Sequence, residues 1–298
     1  MGLAALPAAA AGWTEGAPIR EARAFGGAAA YNEMVFVAGG AGVTGPTADF
    51  AAYDTIGDIW QALPSMPVGR QNFGMAAGGD GAIYVSGGYA GSESLEPSRD
   101  FWRYDIAKAV WVRMAQMPTG RARHGMAAVG GKLYVVGGAG PSAARVLVYD
   151  IASGAWSNAG ADLPAARVDL GVVAQGARIF AIGGRILSGV TTQVHVLDTA
   201  KGGGWRAAPA LPKARAEAAV GAVGGDIHVA GGRSNDPQQT YADHYIFEAA
   251  GNRWRSAAAL PLPLLGASAA GAQNAFVVVG GSGGSGVFAA FTASDVVN

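Results

Sequence analysis

The chain has no cysteine in its 298 residues. Disulfides, zinc–thiolate sites and cysteine nucleophiles are thereby excluded. Charge is scarce: Asp, Glu, Lys and Arg make up 14% of the chain, and 21 basic residues balance 21 acidic ones. A chain without a basic field is a poor partner for nucleic acid or an anionic membrane. No apolar run approaches the roughly 20 residues that cross a bilayer as a helix, so membrane insertion is not expected. There are four histidines, His124, His195, His228 and His244. None has a partner at metal-ligand spacing, so the expectation is no metal and no cofactor.

Glycine, by contrast, is abundant, with 48 copies. It is patterned. A short apolar strand ends in a Gly-Gly pair six times, at Gly39-Gly40, Gly87-Gly88, Gly137-Gly138, Gly183-Gly184, Gly231-Gly232 and Gly280-Gly281. The first glycines are 48, 50, 46, 48 and 49 residues apart. A period near fifty that fills the chain means a repeat architecture rather than the two domains its length would suggest. The segments before the glycines, such as VFVA, LYVV and FVVV, are β-branched and read as buried strands.

Each copy carries further marks. An aromatic or large apolar residue with an acidic neighbour follows the glycines: Tyr53-Asp54, Tyr104-Asp105, Tyr149-Asp150, Leu197-Asp198 and Phe247-Glu248. A tryptophan comes seven or eight residues later, at Trp60, Trp111, Trp156, Trp205 and Trp254. Then a Met-Pro or Leu-Pro turn precedes an arginine, at Arg70, Arg121, Arg167 and Arg215. Together these features resemble the kelch motif, from about residue 12 to the end of the chain. The resemblance implies an all-β fold, a six-bladed kelch-type β-propeller of four-stranded blades. Small residues such as FGGAAA at 25–30 and AVGAV at 219–223 suit inner strands crowded around a narrow axis. The sixth copy has Phe291 at the aromatic position but no tryptophan after it, and Trp13 stands unpaired before the first copy. The N-terminal strand around Trp13 is therefore expected to close the sixth blade, which removes an exposed seam. Residues 12–298 are read as one propeller. Residues 1–11, with Ala9-Ala10-Ala11 before Gly12, read either as the remnant of a secretory signal or as an Ala-rich tail. The first alternative places the protein outside the cytoplasm, secreted or periplasmic.

In the family, the arginine about sixteen residues before the first glycine often faces the channel mouth and binds acidic ligands. The resemblance assigns that position to Arg23, Arg70, Arg121, Arg167, Arg215 and Leu264, and the leucine implies a mouth open on the sixth side. Two residues on, the register gives Phe25, Asn72, Arg123, Asp169, Glu217 and Gly266, the starts of the inner strands. The residue after each Gly-Gly adds Tyr89, Arg185 and Arg233. The candidate ligand-binding set is thus Arg23, Arg70, Arg121, Arg123, Arg167, Arg185, Arg215, Arg233, Asn72 and Tyr89. Guanidinium groups bind carboxylate bidentately, although arginines repeated in every blade also suit blade-to-blade bonding. Asp169 and Glu217, in one register on adjacent copies, are candidates for an acid/base pair. The longest loops after the glycines, 89–101 and 233–244, offer Glu96, Arg99, Asn235, Asp236 and Gln238.

Ser282 and its glycines match G-x-S-x-G without the strand-to-helix context that motif needs. Copper-radical oxidases share the propeller, but their cofactor needs a cysteine. The reading that remains is a monomeric binding protein whose mouth takes a small polar or anionic ligand, an acidic sugar or acidic peptide. Two alternatives stay open. One is a cofactor-independent sugar mutarotase, similar to bacterial N-acetylneuraminate mutarotases, which are also kelch propellers. The other is a protein-interaction scaffold.

Overall fold

The computed structural model describes residues 12–91, 96–236, 239–272, 274–284, 289–290 and 292–296. The segment 1–11, Gln238 and Phe291 lie outside the described residues. The fold is all-β, and no helix occurs among the described residues. Six four-stranded antiparallel sheets succeed one another along the chain. Blade 1 runs from its inner strand Gly27–Tyr31 through Met34–Ala38 and Phe50–Asp54 to the outer Ile59–Leu63. Blades 2 to 5 repeat this order, with inner strands Gly74–Ala77, Gly125–Val129, Gly171–Gln175 and Ala219–Val223. The inner strands pack on one another in closed order around the axis, the last being Ser268–Ala272 of blade 6.

Blade 6 is closed by the N terminus, as the unpaired tryptophan predicts. Trp13–Glu15 pairs antiparallel with Thr292–Val296, Trp13 opposite Asp295. Trp13 is buried against His244 and Phe276, with ring centroids 5.3 and 6.0 Å away. Its Nε1 donates to the Ala258 carbonyl (2.8 Å) of blade 5. The same latch recurs at Trp60 to Ala17, Trp111 to Pro64, Trp156 to Ala115 and Trp254 to Pro209, each 2.8 Å. Trp205 departs from it, its Nε1 buried with no hydrogen-bond partner among the described residues. Aromatic rings fill the seams: Phe50 of blade 1 meets Tyr104 and Trp111 of blade 2 at 4.7 and 5.1 Å. The core is therefore a set of six seams rather than one centre.

The Gly-Gly pairs explain their own repetition. The second glycine's N–H donates to a carbonyl of the next blade: Gly40 to Arg70, Gly88 to Arg121, Gly138 to Arg167, Gly184 to Arg215, Gly232 to Leu264 and Gly281 to Arg23, at 2.7–2.9 Å. The first glycine lies so close to the same carbonyl that a Cβ on Gly39 would come 2.6 Å from the Arg70 oxygen. With φ of 55° and 95°, Gly39 and Gly40 also occupy backbone space that side chains disfavour.

Replacing Trp13 by alanine removes a buried aromatic and one inter-blade bond. Urea unfolding should show a loss of about 3–5 kcal/mol. A loss below about 1 kcal/mol would mean that the N-terminal strand does not hold the ring shut.

Candidate functional site

The inner strands start at one end of the axis, and each is preceded by a residue with left-handed φ. These are Phe25 (61°), Asn72 (56°), Arg123 (59°), Asp169 (56°), Glu217 (58°) and Gly266 (63°), one per blade. Five carry side chains in a region that favours glycine, a strain of order 1–3 kcal/mol each. What holds them is a closed circle of backbone bonds. Asn72 N–H donates to Phe25, Arg123 to Asn72, Asp169 to Arg123, Glu217 to Asp169, Gly266 to Glu217 and Phe25 back to Gly266, at 2.6–2.9 Å. The six residues surround a shallow cavity of about 120 Å³ at the channel mouth.

Four of the six are polar. Asp169 has a side chain only 1% exposed, held bidentately by Arg123, with Nε to Oδ1 at 2.7 Å. Arg123 keeps 31% of its side chain exposed, and its bond to Asp169 raises its pKa. Glu217 is 7% exposed and accepts from Arg233 Nη2 at 2.8 Å, while Arg233 is 26% exposed. The other carboxylate oxygen of Glu217, Oε2, is buried and has no hydrogen-bond partner among the described residues. Burial first, and the Asp169 charge second, push its pKa up. The mouth lining thus carries the Arg123 guanidinium, the Asn72 amide and the Glu217 carboxyl, and the partly exposed Arg233 guanidinium stands behind Glu217 at its edge. On the remaining side the Phe25 ring lies against Gly266, where an added Cβ would meet it at 2.6 Å. The expected opening on the sixth side is corrected accordingly, because Leu264 is buried and Phe25 fills the space above Gly266.

The repeated arginines sit elsewhere. Arg23, Arg70, Arg121, Arg167 and Arg215 are all buried. Arg70 Nη1 donates to the Gly87 carbonyl (2.6 Å), Arg215 Nη1 to Gly231 (2.8 Å) and Arg167 Nη1 to Gly183 (3.2 Å). Arg121 donates to the carbonyls of Pro141 and Ser142. Arg23 pairs with Asp49 at 3.3 Å. Placing these five at the mouth as ligand-binding residues is therefore corrected. Their carbonyls receive the glycine N–H of the preceding blade, and three of the guanidiniums fold back onto a glycine of their own blade. Arg185 is half-buried in a two-residue strand beside Val190 and lies outside the mouth lining. Tyr89 is half-buried opposite Gln71 and likewise outside the mouth lining. Among the loop candidates, Arg99 donates to the Met117 carbonyl (2.7 Å) and Asn235 Oδ1 accepts from Val190 N–H (2.6 Å). Glu96 is exposed, and Asp236 shares a turn with Ser234.

Sequence spacing misses one group. His228 Nδ1 lies 3.0 Å from His244 Nε2, and His244 Nδ1 is 3.8 Å from Asp295 of blade 6. One donor atom from each of the three lies within 4.8 Å of the others. The expectation that no histidine finds a partner is corrected here. Adjacent strands of one blade and a strand of the next bring the three together, and no linear spacing encodes that. His124 is buried at the edge of the mouth lining and bonded through Nε2 to Ser86 Oγ (2.9 Å).

The KLHDC2/KLHL20/DRC7 Kelch-repeats domain model matches residues 11–138 and 116–281. Human Kelch-like protein 35 is 34% identical over 54% of this chain and 27% of its own length. Kelch-like protein terF of Aspergillus terreus is 28% identical over 58% of this chain and 40% of its own. Alpha-scruin of Limulus polyphemus is 30% identical over 47% of this chain and 16% of its own. The matches thus span less than half the length of these relatives. The solved structure of YjhT superposes with a TM-score of 0.81 over 92% of this chain and 95% of that one, at 20% identity, which is a likeness of fold.

Two predictions follow from these placements. Arg167→Ala should lower stability in urea by about 2–5 kcal/mol by leaving a cavity and stranding the Gly183 and Gln193 carbonyls, while Arg185→Ala should stay within about 0.5 kcal/mol. Equal small effects would remove the distinction. Burial lowers the pKa of His124 to about 3 and also lowers those of His228 and His244. Their folded-state pKa values lie below the unfolded value of about 6.5. Their contribution to stability is then full above pH ~6.5 and is lost as pH falls toward 4, by about 1.4 kcal/mol per pH unit for each histidine. A melting temperature flat from pH 7 to 4.5 would show that they are not held neutral.

Proposed function

The chain belongs to the Kelch-repeats domain family, and on that premise we propose that it is a recognition module whose mouth takes a small anionic ligand, an acidic sugar or the acidic side of a peptide. A binding or scaffold role is what the kelch propeller supports, and the identity of the ligand is the proposal. The observation that carries it is the pair of partly exposed guanidiniums, Arg123 and Arg233, anchored by Asp169 and Glu217. Each carboxylate fixes its arginine's geometry, which lowers the entropy lost on binding. The Glu217 carboxylate, besides holding Arg233, can accept a hydrogen bond from a sugar hydroxyl. Asn72 adds an amide that serves either partner.

A second reading, sugar mutarotation, is favoured by the same Glu217. A carboxyl with a raised pKa and an unpartnered oxygen suits proton transfer at a ring-opening sugar. Asp169 is less suited as its partner, since both its oxygens are engaged by Arg123.

Thermal-shift measurements with N-acetylneuraminate, glucuronate and acidic peptides test the proposal. At about a hundred times its dissociation constant, a ligand should add roughly 2.7 kcal/mol of stability. The increment, measured against each variant's own baseline, should disappear in Arg233→Ala and weaken in Asn72→Ala. A ligand increment unchanged in both variants, or none for any ligand, would overturn this reading. Exchange between N-acetylneuraminate anomers accelerated by the wild type and not by Glu217→Gln would favour the second.

A further inference from the structure

The buried arginines share a local register, and what lies over the guanidinium differs from blade to blade. In each of blades 1 to 5, the residue opening the third-strand segment lies beside the arginine: Asp49, Asp100, Arg145, Gln193 and Asp243. Two residues later the register gives Ala51, Trp102, Leu147, His195 and Tyr245. In blade 5 the Arg215 guanidinium lies 4.8 Å from the centre of the Tyr245 ring. In blade 4 His195 Nδ1 is 2.9 Å from Arg167 Nη2. A planar side chain thus meets the guanidinium in both. In blade 1 that position is Ala51, and the residue opposite it on the outer strand is Ala62.

The missing cover leaves space. A cleft of about 210 Å³ is lined by Arg20, Arg23, Ala51, Trp60, Ala62 and their neighbours. A cavity of about 150 Å³ is enough for one benzene ring. Arg23 is 95% buried, being 5% exposed. Among the described residues its side chain makes one hydrogen bond, to Asp49, and its Nε has none. Arg167 makes four, to Gly183, to the backbone and side chain of Gln193, and to His195. Arg23 therefore has donors to spare where the cleft has room. Arg20 and Arg23 are offset by Asp49 and the nearby Glu21, so the local charge does not demand an anion.

We propose that the cleft over Arg23 binds a small neutral aromatic molecule bearing a hydrogen-bond acceptor, of phenol size, which stacks on the guanidinium in the place Tyr245 takes in blade 5. Guanidinium groups favour aromatic faces, and in blade 5 Arg215 already lies over Tyr245. Trp60 and Ile19 supply the apolar wall. The site lies at the outer strands of blade 1 and is separate from the axial mouth.

Phenol titrated into isotopically labelled protein tests this by amide chemical shifts. Saturable shifts should cluster at residues 19–23, 49–51 and 60–63, with a dissociation constant of roughly a millimolar, as expected for so few atoms. Cyclohexanol, of like size without a π face, should bind at least about tenfold more weakly. Ala51→Tyr rebuilds the blade 5 arrangement and should fold with an unchanged or higher melting temperature while abolishing phenol binding. Ala62→Leu fills the cleft from the exposed outer strand and gives a second folded variant with the same expected loss. Absence of saturable shifts, shifts elsewhere, equal binding of cyclohexanol, or phenol binding that survives in either variant would each overturn the proposal.

Discussion

Six backbone hydrogen bonds, one per blade, run head to tail around the axis of this propeller. They join Phe25, Asn72, Arg123, Asp169, Glu217 and Gly266 in a closed circle. To make them, each residue must turn its chain into the left-handed region immediately before an inner strand begins. Five do so with a Cβ, against the usual preference. The circle satisfies buried backbone groups that no sheet ladder reaches. It also fixes where five side chains point, without regard to what they are. Structure and site therefore share one device: the backbone of the ring is uniform and its side chains are free to differ.

A second device repeats beside it. Each Gly-Gly donates to the carbonyl of the following blade's arginine position, and in blades 2, 4 and 5 the guanidinium returns a bond to a glycine carbonyl within its own blade. Leu264 shows that the carbonyl, not the guanidinium, is the indispensable part: Gly232 still bonds to it at 2.7 Å. Burying a guanidinium is costly unless its donors are met, and backbone carbonyls meet them in most blades. Arg23 is the least satisfied of the set, and the cleft above it is where the pattern is incomplete.

The positions that vary matter more for recognition than those that repeat. Packing asks the same of every blade, so it explains Gly40, Gly88 and their equivalents. It does not ask for Asn72 in one blade and Glu217 in another. The two ion pairs at the mouth link different parts of the repeat: Arg123 and Asp169 hold the ring position of adjacent blades, while Arg233 follows a Gly-Gly pair and reaches Glu217. A cluster of opposed charges in a shallow, partly dry bowl strengthens each interaction made there.

The amino-acid sequence by itself determined the architecture. The fifty-residue period, the strand before each Gly-Gly and the stray Trp13 specify six blades and their closure, because each is a local signal repeated until chance is excluded. The ring register was legible for the same reason, and it located Asn72, Arg123, Asp169 and Glu217 together. Only the tertiary structure decided which arginines face the axis. A side chain's direction depends on the dihedral angles and neighbours at its own turn, and Arg121 and Arg123, two residues apart, end in opposite surroundings: one buried among carbonyls, the other at the mouth. The same holds for Phe25 covering Gly266 and for His228, His244 and Asp295, which meet across two blades. Contacts between strands distant in sequence have no linear spacing to betray them, so they exist only once the ring is closed.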